Sequence, residues 1–471
     1  MLQTIRSRLG SALLMMGLLF GVSSAHACPF CSPNVTLSER IDQAHAAYLV
    51  EWIAGVPGNA ELRETGRTEV QIAQVFKQGA EPLPVGDPLS LPDYSPGRPG
   101  EQFLLFGQLR EGEVLRWDGL LTCSPELRQY LSSRPDPSLP ATERLPYFIS
   151  YLEHPDETIA VDAYSEFANA RYDEVRTLAS EFPRERLVAW VTEPAAESGR
   201  VARIGFYGML LGLCGNDADA DVIERYILAP SDELRLGIEG VMAGYIMLRG
   251  ERGLQLLADN VLQPGRESSE AYPFQQAVSF QWEFGNGRIS KAALRAALRR
   301  LVDDPKLADL VIVDLGRWED LQLVDRLIDL YGRPEYANLP TQTAIARYYL
   351  TISELAPAGR TSEEQDQIRR AGLKLAELRQ RDPEVVERAE HRFPRLSSTD
   401  SASPHATAPP TAAISLPAGP TAGMARAESQ LSEADGSGYS VWRLMMMAGL
   451  AAGIIYGIVT WPRGDRSPGP R

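Results

Sequence analysis

The sequence predicts a multidomain α+β protein with a small β-barrel at residues 28–135, an α-helical solenoid at residues 145–393 and one C-terminal transmembrane helix. Three observations predict this arrangement. Short segments with the strand period of two give way to segments with the helical period of 3.6. A glycine pattern is duplicated within the helical part, and an uncharged apolar run lies near the C-terminus. The 471 residues are enough for two or three domains, each with a core of its own.

The charge balance argues against one class of partner. Lysine and arginine number 47 against 62 aspartates and glutamates, which gives a formal net charge of −15 at pH 7. Binding to nucleic acid depends largely on basic side chains that neutralise phosphates. We therefore expect no nucleic-acid partner, and the negative charge favours solubility instead.

Residues 1–27 have the pattern of a signal peptide. Two arginines precede an apolar run at residues 12–22, and Ala25-His26-Ala27 is a small-residue cleavage site. A retained membrane anchor is the alternative, but the apolar run is short for a span. Cleavage would make Cys28 the mature N-terminus. Lipidation of Cys28 stays open, although lipoprotein sites normally carry leucine where this chain has Ala25.

The C-terminal region predicts membrane attachment. Residues 396–438 are rich in Ser, Thr, Ala, Pro and Gly, and we expect a disordered linker because they cannot bury enough apolar surface. Residues 441–461 form the predicted transmembrane helix. Arginines in the tail, residues 462–471, place it in the cytoplasm. The expected protein is single-pass in the cell membrane, and its body and its protein partners lie outside the cytoplasm. The oligomeric state does not follow from the sequence.

Strand character is confined to the N-terminal domain. The expected strands are 46–53, 68–76, 102–106 and 114–117. The second of them alternates polar and apolar residues, as a half-buried strand does. Residues 82–100 are dense in proline and glycine, so we expect a loop or an edge strand there. Prolines at positions 135, 137 and 140 end the domain.

Helical character begins near Leu145 and continues to about Phe393. Besides the two glycine-rich helices, the expected helices are 146–153, 157–169, 184–192, 274–284, 290–302, 307–314, 321–330, 341–355, 362–379 and 383–391. Prolines at positions 194, 230 and 264 recur in step between successive units. A period of roughly 30 to 40 residues, with two helices in each unit, is typical of a solenoid.

The duplicated pattern consists of an arginine, an aliphatic residue and three spaced glycines. The first copy starts at Arg203 and the second at Arg235. The glycines are Gly205, Gly208 and Gly212 in the first copy, and Gly237, Gly240 and Gly244 in the second. Residues four apart share one helix face, so each helix lacks side chains along one stripe. We expect a neighbouring backbone to pack closely there, which offsets the roughly 1 kcal/mol that each glycine costs a helix.

Four cysteines are candidates for covalent chemistry: Cys28, Cys31, Cys123 and Cys214. In an exported protein, disulfides are the default expectation. The segment Cys28-Pro29-Phe30-Cys31 also has the spacing of a thiol-redox pair, which normally needs a preceding strand and a following helix to lower the thiol pKa. Cys214 ends an apolar helix, and we expect it to be a buried free thiol.

The β domain resembles the netrin-like module of the tissue inhibitors of metalloproteinases, an OB-type barrel. The resemblance rests on Cys28 and Cys31 at the mature N-terminus, on three strands in order, and on the segment Glu101–Leu109 that leads to Thr122-Cys123. In that family the second cysteine pairs with the cysteine of the later segment, which implies a Cys31–Cys123 disulfide. It also implies protease inhibition through the N-terminal cysteine. The helical part resembles HEAT-type repeats by its period and helix pairing.

The remaining motifs suggest no catalytic chemistry. Residues 217–221 resemble the start of a calcium loop, but the glycine and glutamate of such a loop are missing. A helix cap at Asp221 with Glu224 is the preferred interpretation. The sequence contains no phosphate-binding loop, nucleophile elbow or zinc-helix motif, so we expect no enzyme, cofactor or metal. The expected function is a non-catalytic protein–protein interaction or scaffold role. The alternative is a thiol–disulfide redox or protease-inhibitor-like activity at residues 28–31.

Overall fold

The computed structural model describes residues 30–391, with gaps at 33, 60–64, 111–113, 194–198, 231–234 and 262–269. Cys28 and the predicted signal peptide, linker, transmembrane helix and tail lie outside the described residues. Among the residues described, no helix is both long and apolar enough to cross a membrane. A β region comes first and a helical region follows it, as the sequence predicts.

Six antiparallel strands form one curled sheet. They are β1 (Ala46–Val56), β2 (Arg67–Lys77), β3 (Pro88–Leu91), β4 (Gln102–Arg110), β5 (Val114–Trp117) and β6 (Leu121–Thr122). The central strand β1 lies between β2 and β4, β3 lies outside β2, and both β5 and β6 pair with β4. Register shifts between β1 and β2 mark irregular pairing. Bulges of this kind increase the twist, which helps the sheet to curl.

The sheet is a half-barrel rather than the closed barrel predicted. Within the described part of the chain, the edge strands β3 and β5 do not pair with each other. Side chains along β1 point alternately to the two faces of the sheet. Both faces can therefore be buried although the sheet does not close into a barrel. Tyr48 and Val50 belong to a small core inside the curl, whereas Ala47 and Leu49 belong to a core shared with the helices. Helices therefore cover one face of the sheet, and both faces are buried without a closed barrel.

Seventeen α-helices occur in the described residues, and a few short 3₁₀ segments join them. The helices are α1 (Leu37–Gln43), α2 (Pro125–Ser133), α3 (Ala141–Ile149), α4 (Glu157–Ala168), α5 (Tyr172–Thr177), α6 (Arg184–Thr192), α7 (Ile204–Cys214), α8 (Asp217–Leu228), α9 (Ile238–Arg249), α10 (Glu251–Val261), α11 (Ala271–Phe284), α12 (Lys291–Arg299), α13 (Ala308–Arg317), α14 (Val324–Tyr331), α15 (Leu339–Ser353), α16 (Ser362–Arg381) and α17 (Pro383–His391). Among the helices of the described residues, α1 alone precedes the sheet.

Several helix starts differ from expectation: α3 begins at Ala141 rather than at position 146, and α5 is not predicted. The sequence pattern also does not predict α1, which begins with a capping box formed by Thr36 and Glu39. The helix α8 begins several residues before the expected cap at Asp221. Its N-cap is Asn216, whose side chain accepts from the backbone of Asp219 while the Asp219 carboxylate accepts from the backbone of Asn216. This reciprocal arrangement satisfies N–H groups that the first helical turn leaves open.

The helices of the array pack as successive pairs. In one row, α7 contacts α9 and α9 contacts α11, and further along α13 contacts α15. The intervening helices α8 and α10 both contact α9. Each pair therefore contacts its neighbours in the chain.

The two glycine stripes face each other between α7 and α9. A Cβ on Gly208 would lie 2.5 Å from the Cα of Val241, and a Cβ on Gly212 would lie 2.6 Å from the Cα of Gly244. In the other direction, a Cβ on Gly240 or on Gly244 would overlap a backbone carbonyl oxygen of α7. Backbone therefore packs on backbone along this contact, and glycine is the residue that fits.

The first glycines of the two stripes also lie against each other. A Cβ on Gly205 would lie 3.3 Å from the Cα of Gly237, and Gly237 would meet the backbone nitrogen of Gly205 at 2.5 Å. Gly237 also has a φ of 79°, a left-handed conformation that glycine adopts without strain. It occupies the N-cap of α9, so the second copy of the pattern starts where that helix begins.

We predict that Gly240→Ala destabilises the protein by about 1–3 kcal/mol, although alanine is the better helix former by about 1 kcal/mol. The added methyl group would overlap the carbonyl of Gly205, and backbone cannot rotate aside as a side chain can. Gly119→Ala is the matched control, because no atom lies within 4 Å of a Cβ at that position. Denaturant unfolding of both variants measures the difference. Equal stability would show that α7 and α9 are not held in close contact.

Candidate functional site

The described N-terminal segment, residues 30–36, lies on the helical array. Phe30 packs on Phe280 of α11, with their ring centroids 5.0 Å apart. The backbone N–H of Ser32 donates to the hydroxyl of Tyr164 in α4 at 3.0 Å. These contacts join the start of the described chain to residues more than a hundred positions away. The segment that carries Cys31 is therefore held by the helices.

Asp162 of α4 fixes the end of this segment from inside the core. Its carboxylate accepts from the backbone N–H of Leu37 at 2.6 Å and from the hydroxyl of Tyr130 at 2.7 Å. Burial raises the pKa of Asp162 to about 6, against the opposing effect of these two hydrogen bonds. Glu166 raises this pKa further, and Arg134 lowers it. One carboxylate thus connects α1, α2 and α4.

The raised pKa of Asp162 predicts a pH dependence of stability. The folded protein binds this proton more tightly than the unfolded chain, whose aspartate has a pKa of about 3.9. Lowering the pH from about 6 to about 4 should therefore stabilise the native protein relative to Asp162→Asn, by about 2–3 kcal/mol. The measurement is the free energy of unfolding of both proteins across this range. A difference that stays constant with pH would contradict the assignment.

The cysteines are not paired as the resemblance implies. Cys123 is a free, buried thiol, and burial raises its pKa to about 11. Cys31 is disulfide-bonded, and its partner is neither Cys123 nor Cys214, since both of these are free. The expected Cys31–Cys123 disulfide is therefore wrong. Cys214 is a half-buried free thiol, and burial raises its pKa to about 11 as well.

The serines next to Cys31 and Cys123 show why these two cysteines do not form a disulfide with each other. Ser32, next to Cys31, binds Tyr164, whereas Ser124, next to Cys123, donates its hydroxyl to the carboxylate of Asp156 at 2.6 Å. Positions 156 and 164 lie about 12 Å apart along a helix axis. A disulfide needs Cα atoms about 4–7 Å apart. The N-terminal segment follows the helices, so it does not cross the sheet towards Cys123.

A pocket of about 240 Å³ opens in the array where α5, α7, α9 and α11 meet. Leu213, Met247 and Phe284 supply apolar lining, and Arg176 and Arg288 supply positive charge. Arg176 forms an ion pair with Asp173 at 3.1 Å. The guanidinium of Arg288 is exposed and makes no hydrogen bond or ion pair among the described residues. The pocket thus combines an apolar wall with an available cation.

Gln281 gives the pocket a fixed hydrogen-bond acceptor. Its side chain is 3% exposed, and its Nε2 donates to the backbone carbonyl of Ala243 at 2.9 Å. Only the nitrogen of an amide can make this bond, so the orientation of the group is set. The remaining oxygen, Oε1, accepts no hydrogen bond from the described residues. It lies close to Gly285, which also lines the pocket.

An aromatic cluster joins the N-terminal segment to the pocket. The ring of Tyr172, which lines the pocket, lies 5.3 Å from that of Phe280 and 5.0 Å from that of Phe284. Phe280 is also the ring on which Phe30 packs. Burial raises the pKa of Tyr172 to about 12, so its hydroxyl stays neutral at physiological pH. The segment with Cys31 and the pocket therefore contact the same aromatic cluster.

Of the six glycines predicted from the sequence, Gly212 lines the pocket. Gly212 is the last member of its stripe and a lining residue, and a Cβ there would lie 2.9 Å from the sulfur of Met247. Neither Gln281 nor Arg288 is predicted from the sequence as a site residue. The sequence Gly285-Asn286-Gly287 between the expected helices 274–284 and 290–302 is typical of a turn, and Asn286 has a φ of 50° there. A turn signal by itself does not indicate a binding site.

No group of three or more His, Cys, Asp or Glu side chains suited to a metal ion occurs in the described part of the chain. Comparison with protein-family models and with curated proteins finds no match for this chain. Since a fold does not specify a function, the site itself carries the functional argument.

Proposed function

We propose that the protein is an exported, membrane-tethered, non-catalytic interaction or scaffold protein that binds a protein partner outside the cytoplasm. The pocket between α5, α7, α9 and α11 carries the proposal. Tyrosine, phenylalanine, methionine and arginine are the residue types enriched in protein interfaces, and all four line it. A rigid wall supports them, because the helices α7 and α9 pack backbone on backbone.

The membrane tether and the export of the body rest on the sequence. The signal pattern at residues 1–27 supports export, and the apolar run at residues 441–461 supports one span with a cytoplasmic tail. A half-barrel in which β1 lies between β2 and β4 supports the OB-type resemblance, and the helix pairs support the HEAT-type resemblance.

Site-specific cross-linking in intact cells tests the interaction. We expect a photo-reactive phenylalanine analogue at Met247, inside the pocket, to give a cross-linked product of discrete mass with an exported protein. The same analogue at Leu373, which is 65% exposed on α16, should give none. The comparison separates a specific surface from general contact with neighbours. Absence of a product at both positions, or equal products at both, would overturn the proposal.

One observation favours thiol–disulfide exchange as a second candidate. The chain has four cysteines, Cys31 is disulfide-bonded, and Cys123 and Cys214 are free. We infer by elimination that Cys28 is the partner of Cys31. Such a disulfide could accept two electrons and two protons from a protein dithiol, through a mixed disulfide, and oxidise that dithiol to a disulfide. The same pairing removes the support for a netrin-like inhibitor, in which the second cysteine pairs with the later one.

Peptide mapping without reduction tests the pairing in the exported protein. We predict a peptide closed by a Cys28–Cys31 bridge, and slow alkylation of Cys123 and Cys214 in the native protein, since burial raises the pKa of both thiols. If the bridge exchanges with a dithiol peptide, Cys28→Ser should abolish the exchange and Cys214→Ser should leave it unchanged. A Cys31–Cys123 peptide would overturn the second candidate.

A further inference from the structure

We propose that the pocket binds the C-terminal residue of a partner polypeptide, and that this residue has an apolar side chain. The inference rests on the proposed interaction function and names the chemistry that it recognises. Three features of the pocket must be matched by one ligand: a fixed acceptor, an available cation and an apolar wall.

The acceptor requires a donor on the ligand. Gln281 cannot turn its amide without losing the hydrogen bond to Ala243, so Oε1 is presented to the pocket in one orientation. Oε1 accepts no hydrogen bond from the described residues, and the N–H of a ligand would pair with it directly. The backbone N–H of a peptide is a suitable donor of the right size.

The cation requires negative charge close to that donor. Arg288 is exposed and has no acidic partner among the described residues, while Arg176 shares its charge with Asp173. A carboxylate accepts hydrogen bonds from guanidinium in a planar, paired geometry. The pocket also lies at the C-terminal ends of α7 and α11, whose dipoles disfavour an anion. The arginines are needed to overcome that effect, which makes binding sensitive to their charge.

The volume restricts the ligand to about one residue. Pockets for drug-sized ligands are roughly 300–1,000 Å³, and this pocket is about 240 Å³. Leu213, Met247 and Phe284 suit an apolar side chain. A single residue that offers an N–H, a carboxylate and an apolar side chain together is the last residue of a polypeptide. A free apolar amino acid offers the same carboxylate and side chain, so free leucine is the control that decides between the two sources.

Binding of short peptides to the full-length protein in lipid nanodiscs tests the proposal. The probe is a fluorescent heptapeptide that ends in leucine with a free carboxylate, and its controls are the C-terminally amidated form and free leucine. We expect saturable binding of the free-acid peptide, and at least about tenfold weaker binding of both controls. Equal binding of the amidated peptide would overturn the assignment of the carboxylate. Equal binding of free leucine would overturn the polypeptide source.

Two charge reversals identify the site. Arg288→Glu should weaken the free-acid peptide by at least about tenfold. Arg186→Glu on α6, an exposed position outside the pocket, should leave its affinity unchanged. Both side chains are exposed, so both variants should keep the melting temperature of the native protein. If the peptide fails to bind while the cross-link at Met247 persists, the ligand class is wrong and the interaction function stands. If both fail, both proposals are overturned.

Discussion

Backbone contact between α7 and α9 is the constraint on which the rest of this structure depends. Gly208 and Gly240 lie at its centre, and a methyl group on either would enter the backbone of the facing helix. There is no room for a side chain at these two positions. The backbone contact therefore determines the distance between the two helices. Each glycine costs about 1 kcal/mol in helix propensity, and close packing over the whole stripe compensates for that cost.

Other residues of α7 pack against the N-terminal half of the protein. Phe206 packs against Tyr164 and Phe167 of α4, with centroids 5.5 and 5.6 Å apart. At the start of the helix, the buried guanidinium of Arg203 bonds the carboxylates of Glu153 and Glu157 at 2.8 Å. The helix α4 also holds the N-terminal segment and belongs to the core shared with the sheet. The sheet, the N-terminal segment and the array are therefore connected through α4 and α7, and the C-terminal end of α7 lines the pocket.

Much of the secondary structure could be predicted because local signals and tertiary packing agree. The glycine duplication is a clear case, since a spacing of three and four residues has one physical meaning on a helix. Closure of the sheet could not be predicted, because strand patterns do not show whether a neighbouring strand or a helix covers the sheet. The cap of α8 shows a similar limit. The cluster at residues 217–221 offers several acidic residues near the helix start, and only the backbone conformation selects Asn216.

The disulfide and the pocket were beyond the sequence for a different reason. The disulfide depends on the path of the N-terminal segment, which contacts Tyr164 and Phe280 far along the chain. Gln281 has no local pattern that marks it as a site residue, since its role comes from a bond to Ala243 on another helix. Contacts of such long range leave no periodicity in the sequence. The Cys31–Cys123 disulfide was predicted from the resemblance to a netrin-like module, and the structure does not contain it because Cys123 is free.

Native-state hydrogen exchange tests most directly whether sheet and array form one cooperative body. The comparison is between the native protein and Gly240→Ala, and it follows the amides of β1, at the centre of the sheet, and those of α9. If the shared core couples them, the substitution should lower the protection of both sets by the same free energy, about 1–3 kcal/mol. Loss of protection in α9 with β1 unchanged would contradict the account, because the sheet would then open independently of the array.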